Sequence, residues 1–384
     1  MRVDTVMASD YCKKALKLLA RSRNVLISGP PGTGKSRLLA EVALAFESAF
    51  GVVSSGGAPK LDLSGGVPIP PAVGDDSKDV PASTKMDRKV FRTVFHQSSK
   101  YRDFVSGITP AVNKKVGEPD FAIVKGTLYR ASEHAKAANS AALLIIDEIN
   151  RGPAVQVFGG AIVAIESDKR LSPDGGKRTE TQYFEILDPI SGDVIEYGLP
   201  HDLYILAAMN QADASVEPLD VAFLRRWEPL RLEPDEQTLR GFYELGARDA
   251  NLLPNTPASV VDVLEASVRA WMAVNEQISL GRGSEFQIGH GVLMSDVKPK
   301  TSDLPDALEA LCVGWGKVRA HIEEVFFGDI RGIAAALNAL DGPGYNPFKL
   351  TETTFADDLR FRVQGPANFS VGNIYASLRA FARE

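Results

Sequence analysis

The chain has 384 residues, with 43 Lys plus Arg against 49 Asp plus Glu and a formal net charge of −6. That balance argues against a broad, nonspecific DNA-coating surface, while a local basic patch or a positive pore in an oligomer stays open. Hydrophobic residues make up 44% and charged residues 24%, as in soluble globular proteins, and the length suits two domains. No apolar run approaches the ~18 residues of a bilayer span, and Arg2, Asp4 and Asp10 interrupt any signal-peptide core, so no membrane association and a cytoplasmic location are expected. Cys12 and Cys312 are far apart with no Cys/His cluster around them, which reads as packing and not as a zinc site or redox pair.

In chain order, Leu16, Leu18 and Leu19 among Lys13, Lys14 and Lys17 give the first 23 residues a short amphipathic helix. The apolar run Val25-Leu26-Ile27-Ser28 then opens into Gly29-Pro30-Pro31-Gly32-Thr33-Gly34-Lys35-Ser36 and continues as Arg37-Leu38-Leu39-Ala40-Glu41-Val42-Ala43. Strand, glycine-rich loop and helix in that order form the context of a P-loop. Its glycines let backbone N–H groups surround a phosphate chain at the positive end of a helix. Lys35 would reach the β- and γ-phosphates and Ser36 the Mg²⁺, so Gly29 to Ser36, with Arg37 next to them, are the candidate nucleotide-binding residues. A glycine turn before an amphipathic helix is the plainer alternative, but every fixed position of the pattern is filled.

Residues 51–86, with Gly56-Gly57, Gly65-Gly66 and Pro70-Pro71, read as a surface insertion. A strand is expected over Lys89 to His96, Phe121 to Gly126 as half of a hairpin, and a helix over 127–139. Ala142 to Ile146 is a continuous apolar run that fits a strand covered on both faces. A helix pattern runs through Val157, Ile162 and Ile165. Phe184 to Leu187 and Val194 to Tyr197 make an inserted hairpin, followed by a buried strand from Leu203 to Met209 and a last short strand near Leu230. Beyond Glu233-Pro234 the pattern is mainly helical, with candidates at 235–247, 257–278, 303–313 and 316–340. From Gly342 only Ile374 to Arg383 reads as a helix.

Asp147 and Glu148 end an apolar strand, where a Walker-B pair belongs: Asp147 to hold Mg²⁺ through water, Glu148 to orient and polarise the attacking water. Asn210 ends the next strand and is the candidate sensor of the γ-phosphate, with a turn-forming Asn as the plainer reading. Arg225 and Arg226 close a short helix from Leu219. One or both are candidate arginine fingers for a neighbouring subunit's nucleotide, a device worth ~10³–10⁵ in rate where it operates. Surface ion pairing is the alternative.

The series resembles an AAA-type ATPase module, in detail the McrB-like branch that supplies the NTP-hydrolysing subunit of McrBC-type restriction systems. The resemblance rests on Phe95-His96-Gln97-Ser98 with Tyr101, Asp103-Phe104-Val105 and Gly107; on Asp147-Glu148-Ile149-Asn150-Arg151; on Ala208-Met209-Asn210 with Ala212-Asp213; and on Phe286-Gln287-Ile288-Gly289-His290. It implies an α/β fold: a P-loop AAA-type module with a parallel sheet flanked by helices and inserted β-hairpins, followed by a mainly helical lid domain. The corresponding boundaries are 1–233 for the nucleotide-binding domain, 234–341 for the lid and 342–384 for a C-terminal extension.

The resemblance further implies a homo-oligomer in the form of a hexameric ring, a McrC-like nuclease subunit as partner, and DNA contact through the complex. Asn150 would help to position the hydrolytic water and His290 would lie near the nucleotide, a structural role being the alternative for His290. The chain departs from the family at Gln211, which replaces a threonine, at Ala214, where an arginine is missing, and at Gly291-Val292-Leu293. Its P-loop begins at residue 29, which leaves no room upstream for a DNA-reading domain, so modified-base recognition is not expected of it. The expected function is therefore a ring motor hydrolysing GTP or ATP with Mg²⁺. A MoxR-like chaperone ATPase that remodels protein complexes, and a slowly turning regulatory switch, are the alternatives.

Overall fold

The computed structural model describes residues 9–48, 87–111, 120–212, 219–247, 251–294, 303–340 and 345–383. The expected insertion at 51–86, Asp213 with Ala214, and 342–344 at the head of the C-terminal extension lie outside the described residues. The chain divides into two units, Met1–Ser28 with Lys35–Arg231, and Gly29–Gly34 with Leu232–Glu384.

In the first unit, the Ser9 hydroxyl caps α1 (Asp10–Ser22) by accepting the Cys12 N–H over 3.2 Å, and the helix buries Cys12, Ala15, Leu16 and Leu19. The thiol of Cys12 is pushed up to about 12, chiefly by burial, as suits a packing residue. There follow β1 (Asn24–Ser28), α2 (Lys35–Ser48), β2 (Asp87–Val94), α3 (Tyr101–Phe104), β3 (Ser106–Pro110), β4 (Phe121–Lys125), α4 (Thr127–Lys136) and β5 (Ser140–Asp147). The unit continues through α5 (Ala154–Phe158), α6 (Ala161–Ala164), β6 (Phe184–Leu187), β7 (Val194–Tyr197), β8 (Leu203–Ala208), α7 (Val221–Leu224) and β9 (Glu228–Arg231).

Five of these strands form one sheet in the order β2-β5-β8-β1-β9, with every pairing parallel. β1 and β8 are buried along their whole length and β5 everywhere except Asp147. That is why their sequences are continuous apolar runs. The edge strand β2 alternates instead and carries Arg88, Lys89 and Arg92, charges that discourage pairing of a free edge. Val94 pairs with Asp147, Ile146 with Ala207 and Ile27 with Ala208, so the carboxyl ends of four strands lie level. The strand order reverses around β1, which has β8 on one side and β9 on the other, and parallel sheets open a crevice for ligands at such a point.

The inserted hairpin β6–β7 forms over the expected residues, and β3 supplies the partner that β4 needed. The helix expected through Val157, Ile162 and Ile165 is two short helices. Gly159 breaks it at φ +51, and a Cβ there would lie 2.7 Å from the ring of Tyr101.

The second unit contains α8 (Glu236–Phe242), α9 (Val260–Gly281), α10 (Leu304–Val325), α11 (Ile330–Ala336), β10 (Lys349–Phe355), β11 (Asp358–Gln364) and α12 (Ile374–Phe381). The break expected between 313 and 316 does not occur. Gly314 is a contact residue, its Cβ position 3.2 Å from Leu293, and the helix ends instead before Gly328, at φ +78. The antiparallel pair β10–β11 was not foreseen; it turns on Ala356 and Asp357, both left-handed. Trp271, Trp315, Phe326, Phe348 and Phe381 centre the core of this unit, and Ile374 and Leu378 of α12 are fully buried in it.

Candidate active site

Lys35 and Ser36 begin α2. Lys35 is buried, and burial pulls its ammonium down to about 8 against the opposing pull of the Glu148 and Asp147 carboxylates. Ser36 and Arg37 are exposed in the same turn. Polar side chains at a helix start beside a depressed, buried lysine suit a polyanion, which would restore the charged form of that lysine.

Asp147 closes β5, and its Oδ1 accepts the Glu148 N–H over 3.0 Å. Glu148 itself has a left-handed backbone (φ 52, ψ 43), which costs a non-glycine residue roughly 1–2 kcal/mol. The turn sends the chain sharply off the strand end. The Glu148 carboxylate is held from two sides: Asn210 Nδ2 donates to Oε1 over 2.6 Å, and Arg151 Nε lies 3.2 Å from Oε2. Asn150 is buried and donates from Nδ2 to the Asn210 carbonyl over 2.8 Å, while its Oδ1 is buried with no hydrogen-bond donor among the described residues. Glu148, Asn150 and Asn210 thus form one network linking the ends of β5 and β8.

The Phe95-His96-Gln97-Ser98 stretch lies alongside. The Phe95 N–H donates to the Asp147 carbonyl over 3.0 Å, and the His96 N–H to Ser99 Oγ over 2.9 Å. Phe95, Phe104 and Phe158 pack edge-to-face or tilted, with ring centroids 4.8 to 6.1 Å apart. That cluster continues from Phe158 to Phe223 at 5.4 Å and Trp227 at 6.2 Å. These two rings flank Arg225 and Arg226, and the structure separates the two arginines. Arg226 Nε lies 2.9 Å from Glu166 Oε1, and its guanidinium also donates to the Ala222 carbonyl. Arg225 is exposed.

Within the second unit, Gly32 (φ +80) and Gly34 (φ +86) adopt backbone conformations that favour glycine, and Thr33 Oγ1 donates to the Pro30 carbonyl over 2.9 Å. The Gly289 N–H donates to the Pro31 carbonyl over 2.8 Å and the Gly291 N–H to the Gly32 carbonyl over 2.9 Å. His290 Nδ1 accepts the N–H of Asp235, the cap residue of α8, over 3.2 Å.

Residues 81–227 match the AAA domain family of the dynein-related subfamily. The chain is 27% identical over 320 residues to the type IV methyl-directed restriction enzyme EcoKMcrB subunit of Escherichia coli strain K12, a match covering 82% of this chain and 56% of that one. It is 32% identical over 219 residues to component YdiS of the type II restriction enzyme BsuMI of Bacillus subtilis strain 168, covering 55% of this chain and 58% of the relative. The chain is a P-loop NTPase with an AAA-type domain, and it is similar to McrB-type restriction subunits. It spans just over half the length of these two relatives.

In this AAA-type module the first unit brings Lys35, Asp147, Glu148, Asn150 and Asn210 to the level carboxyl ends of the sheet, and α7 carries Arg225 and Arg226. Two groups escaped the reading of the sequence. Arg151 carries no signal beyond its place in the motif, and its ion pair with Glu148 follows from a tight one-turn return that no periodicity announces. Asn275 on α9 gave no signal at all, because its partner, the backbone of Ile288, lies outside its own helix.

Proposed function

We propose that this chain is the NTP-hydrolysing motor subunit of a McrBC-like DNA restriction system. It works as a hexameric ring with nucleotide at the subunit interfaces, drives or activates a McrC-like nuclease partner, and meets DNA through the complex. The hydrolytic half of this reading rests on one observation, the Glu148 carboxylate fixed between Asn210 and Arg151 beside Asp147. The restriction half is supported by the two relatives, both components of restriction enzymes.

Glu148 is the residue that orients and deprotonates the attacking water, with Asn150 and Asn210 holding its surroundings. Lys35 binds the phosphates, and Arg225 reaches the nucleotide of a neighbouring subunit. The oxygen donors Ser36 and Asp147 suit Mg²⁺, which takes few protein ligands and completes its shell with water and phosphate. Among the described residues no group of three or more His, Cys, Asp or Glu is placed to hold a metal ion. When bound, Mg²⁺ supplies charge neutralisation on the phosphates.

Turnover is to be measured with ATP and with GTP, in the presence and absence of a co-expressed nuclease subunit. Hydrolysis stimulated by the nuclease, with DNA cleavage dependent on hydrolysis, is the expected result. Hydrolysis indifferent to any nuclease but coupled to the remodelling of a protein complex would overturn the restriction assignment in favour of a chaperone ATPase.

A further inference from the structure

The P-loop residues Gly29–Gly34 fall in the second unit, and a segment of that unit is bonded directly to their backbone. We propose that Ile288–Val292 is a strap that sets the phosphate cradle, and that Asn275 and Trp271 are the positioning residues that anchor it. The proposal rests on the reading of Gly29 to Ser36 as a nucleotide-binding loop and deepens it.

A trans peptide points its C=O and its N–H in opposite directions. The Gly289 N–H holds the Pro31 carbonyl at 2.8 Å, so the N–H of Gly32, in the same peptide, faces away from the strap. The Gly291 N–H holds the Gly32 carbonyl at 2.9 Å and turns the Thr33 N–H the same way. Two donors of the cradle are therefore oriented from behind before any phosphate arrives, which spares the binding step the cost of ordering them.

The strap is itself rigidly held. Asn275, buried on α9, donates from Nδ2 to the Ile288 carbonyl over 2.9 Å and accepts the Ile288 N–H on Oδ1 over 2.7 Å. Trp271 Nε1 adds a second donor to the same carbonyl over 2.9 Å. His290 Nδ1 accepts the Asp235 N–H, and two residues ahead of the strap the Phe286 carbonyl lies 2.8 Å from His321 Nε2. Buried hydrogen bonds to backbone on this scale fix a segment to one conformation.

The approach is close enough to dictate sequence. Gly289 has an ordinary backbone (φ −65, ψ 151), so its own conformation does not demand glycine. A Cβ there would lie 2.0 Å from the Gly32 carbonyl carbon and 2.3 Å from the Thr33 nitrogen; one at Gly291 would meet the Gly32 carbonyl oxygen at 2.8 Å. Alanine at 289 is thus compatible with the local fold and incompatible with the contact.

The test compares Gly289→Ala, Gly291→Ala and, as a control, Gly316→Ala, whose Cβ would meet nothing within 4 Å. KM and kcat for MgATP and MgGTP are measured along with the melting temperature of the nucleotide-free protein. The cradle donors contact phosphate in both ground and transition states, so their misplacement raises KM by roughly tenfold or more and leaves kcat within about threefold. Gly316→Ala leaves both constants alone. If Gly289→Ala lowers the melting temperature severely, Gly291→Ala, which meets only one carbonyl, decides. Unchanged KM in the folded variants overturns the strap. Lys35→Ala separates the two levels of the reading. Loss of nucleotide binding there with an unaffected Gly289→Ala refutes the strap alone, whereas intact binding in Lys35→Ala refutes the nucleotide loop and the strap together.

Discussion

The side-chain amide of Asn210 donates to Glu148 Oε1 across 2.6 Å, so the end of β8 holds the carboxylate that follows β5. Glu148 sits in a left-handed turn, and among the described residues its carboxylate is hydrogen-bonded by Asn210 and ion-paired with Arg151. Asn210→Ala therefore leaves the carboxylate with one exposed partner, and kcat falls by about tenfold or more with a much smaller change in KM. Glu148→Gln removes the base itself: nucleotide binding survives and hydrolysis drops by ~10²–10⁴. Steady-state kinetics beside equilibrium binding separates the two effects, and normal turnover in Glu148→Gln would refute the assignment.

The depressed Lys35 predicts a proton signature of binding. With its pKa at about 8 in the free protein, roughly half of the lysines are neutral at pH 8 and roughly a tenth at pH 7. A polyphosphate seated on the ammonium restores full protonation. Binding then takes up about half a proton at pH 8, little at pH 7, and more at pH 9. Calorimetry in buffers of different ionisation enthalpy reads this directly. Lys35→Met removes the uptake together with the affinity. Proton-neutral binding at both pH 8 and pH 9 would show that Lys35 does not meet the phosphates.

The two arginines of α7 are expected to part company. Arg226 is committed to Glu166 at 2.9 Å and is nearly buried, so Arg226→Ala destabilises the protein by about 1–2 kcal/mol, read as a lower melting temperature. Arg225 is exposed, so Arg225→Ala leaves the melting temperature in place and lowers turnover. Activity returns in mixed assemblies with a subunit that keeps Arg225 but carries Glu148→Gln. Equal melting temperatures for the two variants, or no rescue in mixed assemblies, would count against this division.

The strands that carry the site were legible because burial on both faces demands continuous apolar runs, and polar residues such as Asp147 and Asn210 mark where those runs emerge. Sequence and structure part where one residue type serves two purposes. Gly314 looks like a helix break and is a contact with Leu293; Gly159 lies within a helical pattern and does break it, under the ring of Tyr101. The β10–β11 hairpin hides because its turn uses Ala356 and Asp357 where glycine or asparagine would have announced it. The Gly289 strap hides for a different reason. Its geometry depends on a loop some 250 positions earlier, a separation that no local pattern encodes.

A last prediction concerns stability at the opposite end of the sheet, where β8 begins. His201 Nε2 lies 2.9 Å from Arg23 Nη2 and Nδ1 lies 3.2 Å from Asp202 Oδ1. Arg23 also donates to the Tyr204 hydroxyl over 2.8 Å. Burial pulls the imidazole below its ordinary value of 6.5; the Arg23 and Arg178 charges add to this and Asp202 opposes it. The native protein thus keeps the ring neutral, with Nε2 accepting from Arg23. The unfolded chain takes up its proton near pH 6.5, before the native ring does. The contribution to stability is complete above that pH and is lost as the pH falls through 6.5 toward the native value, at up to ~1.4 kcal/mol per pH unit. His201→Gln keeps a polar side chain at the site without the titration. Melting temperatures between pH 7.5 and 5.5 should fall more steeply for the native protein than for His201→Gln, and parallel curves would assign the acid sensitivity to other groups.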